Sequence, residues 1–219
     1  MQEVSSEIYD ACLHGKVDEM KRLLETYGDK PEYQTCLHEA LCTAAYFSHK
    51  DVVAMLVAHP TIDVKHVSQM HYQRTALTQA CYSSRPEKLD IIKMLLAHPD
   101  IDLYQEDKDG ATPLSACCAQ GSTDTLRLLL EDKRVDYDRV MAMHESPFVV
   151  ACYRQRLLVV KHLIAYASET STLEFPEDST IDDQLRDAGR QDILQVLYEF
   201  WSDPKATIAK YRAELQLSA

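Results

Sequence analysis

Nine histidines and seven cysteines are the side chains of this 219-residue chain that could bind a metal or perform acid–base or thiol chemistry. Enzymes that use such groups hold them at fixed spacings, as in HExxH on one helix face or a glycine-rich phosphate loop before a helix. Neither pattern occurs, and GxSxG and kinase-like signatures are also missing from the sequence. His59 and His98 each precede a proline at equivalent positions, where a polar residue and a helix-ending proline are sufficient explanation. The sequence therefore predicts no catalytic residue, no metal and no cofactor.

The seven cysteines include no CxxC pair and show no zinc-ligand spacing to the histidines. An odd number of thiols suits a reducing compartment better than a disulfide framework. Cys117 and Cys118 have Ala-Cys or Ala-Ala at the equivalent positions of other segments, which indicates small packing residues between helices and not a redox pair. The sequence predicts that Cys12, Cys81, Cys118 and Cys152 are buried and reduced.

One helix-like segment recurs along nearly the whole chain with a period of about 34 residues. Its anchor positions are Asp18, Asp51, Asp90, Asp124, Leu158 and Asp192. Apolar residues follow each anchor at helical intervals, as Val52, Val53, Met55 and Leu56 do in one copy. The pattern predicts an amphipathic second helix in every copy.

A shorter helix precedes each of these segments and carries small residues where two helices must approach closely. The small pairs are Ala11 and Cys12, Ala44 and Ala45, Ala80 and Cys81, Cys117 and Cys118, and Ala151 and Cys152. Thr112-Pro113 and Ser146-Pro147 predict helix starts, with a hydroxyl cap and a first-turn proline. A helix pair of this size cannot bury both faces alone, so the copies must stack into a solenoid.

The residues DGATPLSACCAQGSTDTLRLLLEDKRVD, Asp109 to Asp136, resemble an ankyrin repeat, with a turn, a TPL helix start, a small pair, a glycine and an amphipathic second helix. Two further copies, TALTQACYSSRPEKLDIIKMLLAHPDIDL and EALCTAAYFSHKDVVAMLVAHPTIDV, resemble the family more loosely, and the resemblance covers roughly Ser6 to Phe200. Glu39 stands where the family prefers threonine, and extra residues at 84–87 lengthen one inter-helix loop. The resemblance implies hairpin-like fingers between helix pairs and a concave face formed by the fingers and first helices.

The predicted fold class is all-α, an ankyrin-type helical repeat solenoid with short hairpin-like turns and a C-terminal capping helix in a single domain over residues 1–219. Helix pairs are predicted near residues 6–34, 39–72, 74–109, 110–144, 145–178 and 179–201, with the capping helix over 204–217. The cap follows Asp203-Pro204 and has Ile208, Tyr211 and Leu215 at helical spacing.

The net charge of −12 arises from 35 acidic residues against 23 Lys plus Arg, and it repels phosphate backbones and anionic lipid. No apolar run approaches the roughly 18 residues of a spanning helix, and the N-terminus does not resemble a signal peptide. We therefore expect an intracellular, monomeric protein, cytoplasmic or nuclear, that binds neither nucleic acid nor membranes. The acidic stretch 168–183 predicts an elongated surface loop that favours solubility, with docking of basic partners as the alternative.

Candidate partner-binding residues come from two places that the resemblance puts on the concave face. The ends of the first helices contribute His14, Tyr46, Phe47, Tyr82, Gln120, Tyr153 and Arg154, and the fingers contribute Tyr72, Arg74, Lys108, Met143 and His144. Tyrosine offers a broad contact area and a hydroxyl at low entropic cost, which is why it is enriched at recognition surfaces. The alternative is that these rings pack on neighbouring repeats. Three tyrosines at equivalent positions favour binding.

The sequence thus predicts a protein–protein interaction module that binds a protein or peptide partner on its concave groove and is not an enzyme. A second hypothesis is a targeting or scaffold fragment of a larger multidomain protein, or a pathogen effector. The predicted capping helix argues against continuation at the C-terminal end. A third hypothesis, a cryptic hydrolase with a histidine pocket, would be tested by a turnover screen and a metal analysis.

Overall fold

The computed structural model describes residues 2–137, 139, 146–168, 173 and 180–217. In these residues the regular structure consists of thirteen α-helices and a single 3-10 turn, without strands. The predicted all-α helical repeat class is confirmed. The chain forms two compact units, Met1–Pro113 and Leu114–Ala219. The single domain over the whole chain stays a prediction.

The first unit contains three helix pairs, each made of a first and a second helix. They are α1 (Gln2–His14) with α2 (Val17–Tyr27), α3 (Gln34–Phe47) with α4 (Lys50–Ala58), and α5 (Ala76–Tyr82) with α6 (Lys88–Ala97), and a 3-10 turn (Pro31–Tyr33) precedes α3. The first helices pack side by side in the order α1, α3, α5, and the second helices in the order α2, α4, α6. Residues 83–87 separate α5 from α6, whereas two residues separate α3 from α4, as the extra residues at 84–87 predicted.

Small side chains lie where the first helices of this unit approach one another. Ala11, Ala44 and Ala80 are fully buried, as are Cys12 and Cys81. Their size lets the helix backbones come close, and larger apolar residues fill the space beside them. Leu37, Leu56, Leu77, Ile91 and Leu95 are among the fully buried side chains. The row of small residues therefore serves packing between repeats, as the sequence predicted.

The second unit contains three further helix pairs and one additional helix. They are α7 (Pro113–Gln120), which begins at the last residue of the first unit, with α8 (Thr123–Leu130), α9 (Pro147–Tyr153) with α10 (Leu157–Tyr166), α11 (Ile181–Asp187) with α12 (Gln191–Ser202), and then α13 (Pro204–Glu214). The sequence predicts a loop over residues 168–183, but α11 already begins at Ile181. Ile181 is buried together with Leu185. Most of that stretch lies outside the described residues.

Helix starts show where the cap predictions succeed and fail. Asp203 caps α13, since its Oδ1 accepts a hydrogen bond from the Ala206 N–H at 3.0 Å, and Pro204 is the first helical residue. Ser146 is a correction: Pro147 begins α9, but the Ser146 hydroxyl makes no capping hydrogen bond. Thr75 caps α5 by accepting from the Thr78 N–H at 3.3 Å. The Thr112 cap stays a prediction.

The last helix, α13, packs on α10 and α12 and covers their apolar side chains. Ile208 and Tyr211 of α13 are buried, as is Leu197 of α12. Arg212 donates hydrogen bonds to the carbonyl oxygens of Ala165 at 2.7 Å and Ala167 at 3.1 Å, beside the C-terminus of α10. A guanidinium at this place satisfies carbonyl groups that have no partner within the helix and interacts favourably with the helix dipole.

Removal of residues 204–219 should therefore expose apolar surface on α10 and α12, lower the melting temperature and promote association. The point variant Ile208→Ala should cost about 2–4 kcal/mol of unfolding free energy. Ala209→Ser, at the exposed neighbouring position, should stay within about 0.5 kcal/mol. Circular dichroism melts and size-exclusion chromatography measure these effects. A truncated chain that stays monomeric with an unchanged melting temperature would show that α13 is not a cap.

The cysteines divide into six buried thiols and one that is partly exposed, Cys36 on α3. Burial raises the pKa of the Cys12 thiol to about 12. It also raises the pKa values of Cys42 and Cys152, because a thiolate would lose its hydration there. The reactive form of these thiols is scarce at neutral pH, and their access to solvent is blocked.

In the native protein we expect a thiol reagent such as DTNB to modify Cys36 rapidly and the other six cysteines slowly. After denaturation all seven should react. Reagent absorbance with peptide mapping by mass spectrometry measures the stoichiometry and the site. Rapid native labelling of Cys12, Cys81, Cys118 or Cys152 would show that the helix pairs open far more readily than this packing implies.

Candidate protein-binding surface

The finger that joins α4 to α5, residues 59–75, is fastened to α3 through Glu39. This glutamate is buried, its carboxylate accepts hydrogen bonds from the Ser68 hydroxyl and from the Gln69 N–H at 2.8 Å, and His66 Nε2 lies 3.1 Å from it. Burial alone would raise the pKa of Glu39, but these hydrogen bonds outweigh it and hold the pKa below the ordinary value. The Glu39 side chain, at a position where threonine was expected, thus reaches from α3 to the finger.

The tip of this finger is a tight turn over His71–Arg74. The Arg74 N–H donates to the His71 carbonyl oxygen at 3.1 Å, and the two central residues, Tyr72 and Gln73, have φ values of 59° and 56°. Left-handed backbone costs a residue other than glycine roughly 1–2 kcal/mol. Tyr72 nevertheless occupies this position with 54% of its surface exposed. A large aromatic ring is therefore displayed at a turn whose backbone favours glycine or asparagine.

Four residues predicted for partner binding meet at this tip. The guanidinium carbon of Arg74 lies 3.9 Å from the ring centroid of Tyr82 and 5.0 Å from that of Tyr72. Lys108 Nζ lies 3.9 Å from the centroid of Tyr72. These distances are those of cation–π contacts. We call Tyr72, Arg74, Tyr82 and Lys108 the finger stack.

The second finger, residues 98–112, holds the other side of the finger stack. The Lys108 N–H donates to the Tyr72 carbonyl oxygen at 3.1 Å, which joins the two fingers through their backbones. Arg74 Nε donates to Asp107 Oδ2 at 2.8 Å, and the Asp107 side chain is fully buried. The other Asp107 oxygen accepts from the N–H groups of Asp109 and Ala111, both at 2.9 Å. Arg74 therefore links the two fingers through Asp107, whereas Lys108 and Tyr72 are exposed to solvent.

The other predicted residues of the first unit lie apart from the finger stack, at the C-terminal ends of first helices. Tyr46 is 44% exposed and meets Phe47 edge to face, with ring centroids 5.2 Å apart. Phe47 in turn stacks on His49 and lies under the Arg85 guanidinium. His14 pairs with Asp10 within α1 at 3.0 Å.

In the second unit, Gln120 at the end of α7 and Tyr153 and Arg154 at the end of α9 are exposed. Tyr153 presents 44% of its surface to solvent, the same share as Tyr46. Met143 and His144 lie outside the described residues. The tyrosines predicted as equivalent thus differ in their surroundings, because Tyr82 is half-buried beneath Arg74 while the other two are exposed.

A groove that the sequence did not predict lies between α1, α3 and the first finger. Its volume is about 440 Å³, and its lining consists of Ser5, Ser6, Tyr9, Thr35, Cys36, Glu39, Ala40, Gln69 and Met70. We call it the α1–α3 groove. Met70 is 63% exposed and Tyr9 38% exposed, so two large apolar side chains border it. Met70, an apolar residue between the polar Gln69 and His71, was the sequence signal that could have indicated this groove.

A comparison with protein-family models finds a match that covers most of these repeats. The model described as ankyrin repeats (3 copies) matches residues 8–107 and again residues 87–172. The chain belongs to the ankyrin repeat family. Ankyrin repeats are in general protein–protein interaction modules, and the family is typically non-enzymatic. A comparison with curated proteins gives no match.

Two further observations concern membranes and metal ions. Among the residues that the structure describes, no helix is both long enough and apolar enough to cross a lipid bilayer. The same residues contain no group of three or more His, Cys, Asp or Glu side chains arranged to hold a metal ion.

The finger stack contains two cations with different expected roles. Arg74→Ala should lower the unfolding free energy by about 3 kcal/mol, because it leaves the buried Asp107 carboxylate without its charged partner. Lys108→Ala should change it by no more than about 0.5 kcal/mol, since Lys108 is exposed. Urea unfolding followed by circular dichroism gives both values. Equal effects of the two variants would mean that the Arg74–Asp107 pair does not hold the fingers.

Proposed function

We propose that this ankyrin repeat protein binds a protein or peptide partner on the face formed by its fingers and first helices, with Tyr72 as a central contact. The observation that carries the proposal is the position of Tyr72, a large exposed ring on left-handed backbone between two cations. Strained backbone is retained where the side chain it displays has a use. Exposed tyrosine is among the residues most often found at the energetic centre of protein interfaces.

The contacts of the fingers support recognition by a surface that is ordered before the partner arrives. Glu39 fastens the first finger to α3, and Arg74 with Asp107 fastens the two fingers to each other. Binding to such a surface costs less conformational entropy than binding to loops that become ordered only in the complex. Mixed aromatic, cationic and polar groups at the tip suit a protein or peptide partner.

We also propose that the protein acts by binding and not by catalysis, and that it works as a monomer inside the cell, in the cytoplasm or the nucleus. The family is typically non-enzymatic, and the chain has free cysteines of which six are buried. The net charge of −12 disfavours nucleic acid and anionic membrane surfaces as partners.

The variant Tyr72→Asn separates binding from stability. Asparagine tolerates left-handed backbone better than tyrosine, so the unfolding free energy should stay unchanged or rise. Loss of the ring should weaken partner binding by about 2 kcal/mol, roughly thirtyfold. Affinity capture with the wild-type chain identifies a partner, and titration calorimetry with that partner measures the loss.

Leu95→Ala is the matched control for stability. It removes a fully buried side chain of the same unit and should cost about 2–5 kcal/mol of unfolding free energy, while the folded fraction binds normally. Tyr153→Ala tests the second unit separately. If Tyr72→Asn binds the partner as tightly as the wild-type chain while Tyr153→Ala does not, the finger stack is not the binding site.

A further inference from the structure

The α1–α3 groove is an apolar surface of the first unit that remains open to solvent. Its accessible surface is almost wholly apolar, and its volume is about 440 Å³. Ligand sites usually have volumes of roughly 300–1,000 Å³. Met70 and Tyr9 border the groove with 63% and 38% of their surface exposed. Exposed apolar surface of this kind marks a place where another molecule binds.

The Glu39 carboxylate in the groove lining is already satisfied from within the protein. It accepts hydrogen bonds from the Ser68 hydroxyl and the Gln69 N–H, and His66 Nε2 lies 3.1 Å from it. An uncharged occupant therefore leaves no unpaired charge behind when it displaces water. Since an apolar side chain gains free energy by leaving water, it suits these walls better than a charged one.

A cation without a carboxylate partner lies beyond the Met70 side of the groove. Lys108 Nζ lies 3.9 Å from the ring centroid of Tyr72, but Lys108 forms no ion pair with any residue that the structure describes. Arg74 differs, because Asp107 holds its guanidinium. An ammonium has three N–H donors, and those of Lys108 are open to a carboxylate from outside. The charge complement of this site is an acidic residue of a partner.

The first finger sets the distance between the groove and Lys108. Met70 is two residues before Tyr72, a separation of at most about 7 Å along the chain. Tyr72 contacts Lys108 through its ring and through its carbonyl oxygen. An extended segment advances about 3.3 Å per residue. One side chain in the groove and one carboxylate at Lys108 therefore belong to residues about two to four positions apart in a bound segment.

We propose that the α1–α3 groove binds an apolar side chain of an extended partner segment, and that an acidic residue about two to four positions away in that segment pairs with Lys108. This rests on the proposed function, because it names the chemistry of the partner on the same face. The net charge of −12 does not oppose a single carboxylate, since charges more than about 10 Å apart are largely screened at 0.1 M salt. It does disfavour a long acidic tract.

Cys36 on the groove wall allows a test of the apolar site without a partner. Its thiolate attacks a symmetrical disulfide, forms a mixed disulfide and releases one thiol, so the exchange equilibrium reports how well the groove accommodates the attached arm. The probes are dipropyl disulfide, bis(2-hydroxyethyl) disulfide and cystamine, whose arms have similar length and are apolar, hydroxylated and cationic. Peptide mass spectrometry measures the occupancy of Cys36, relative to the same exchange with N-acetylcysteinamide as a neutral reference thiol.

We expect Cys36 to favour the propyl arm over the hydroxyethyl arm by about threefold or more, and the cationic arm least. Met70→Gln should reduce this preference, because it places an amide at the border of the groove. Val17→Thr, at an exposed apolar position of α2 outside the groove, is the matched control and should leave the preference unchanged. An absent preference for the propyl arm, or equal effects of the two variants, overturns the proposal.

The acidic residue is tested with random linear peptides displayed on phage and selected on the whole chain. Selected peptides should share an apolar residue with Asp or Glu about two to four positions away. Selection on Lys108→Glu should retain the apolar residue and replace the acid with Lys or Arg. Lys21→Glu, at an exposed position of α2, is the matched control and should keep the acid. Peptides without an acid, or with the same acid on Lys108→Glu, contradict the proposal.

One selected peptide then serves as the probe for affinity, measured by fluorescence anisotropy. Replacing its acid with the corresponding amide should weaken binding to the wild-type chain by about two- to fivefold and should have no effect on binding to Lys108→Ala. Replacing its apolar residue with alanine should weaken binding roughly tenfold or more, with a smaller effect on Met70→Gln. Equal losses on the wild-type chain and the variants would show that the peptide binds elsewhere.

Tyr72→Asn separates this inference from the proposed function. If peptide binding depends on Tyr72 but on neither Met70 nor Lys108, the apolar and acidic assignment is wrong and the proposed function stands. If none of the three variants changes peptide binding, the proposed function fails as well.

Discussion

The whole fold depends on contact between neighbouring repeats, because two short helices cannot bury both of their faces by themselves. Such contact requires close approach of helix backbones, and the buried Ala and Cys side chains of the first helices permit it. The constraint leaves little freedom for those positions, since an added methylene would push whole helices apart. The fingers also bury apolar side chains, among them Ile62 and Val64 in the first finger and Ile101 and Leu103 in the second.

Buried polar groups give these fingers a defined position. Glu39 replaces the expected threonine and binds the first finger through Ser68, Gln69 and His66. Asp107 is fully buried and accepts from Arg74 and from two backbone N–H groups of its own turn. Ion pairs of this kind add little net stability, but breaking one is costly. Their value here is geometric, since they fix the position of the exposed Tyr72 ring at the tip of the first finger.

Two neighbouring chemistries result on the finger side of the first unit. The finger stack presents an aromatic ring between Arg74 and Lys108, and the α1–α3 groove presents apolar walls. A partner surface that matched only one of them would leave the other solvated.

The sequence by itself determined the repeat, the pairing of helices and the small residues between them, because these follow from the spacing of apolar residues over a short range. It also identified Tyr72, Arg74, Tyr82 and Lys108 as candidates. It did not distinguish their roles. In the structure Arg74 covers the Tyr82 ring and pairs with Asp107, which is 33 residues away along the chain, so this arginine also holds the two fingers together.

Only the tertiary structure decided where the α1–α3 groove lies and that the Glu39 carboxylate binds the first finger. The lining of the groove comes from α1, α3 and the first finger, and although the repeat spacing places α1 beside α3, it does not indicate that a groove opens between them and the finger. The left-handed backbone at Tyr72 also could not be predicted, since no glycine marks the turn. Local propensity is read within a few residues, whereas a binding surface forms where distant segments are brought together by packing, and its geometry exists only once the repeats have stacked.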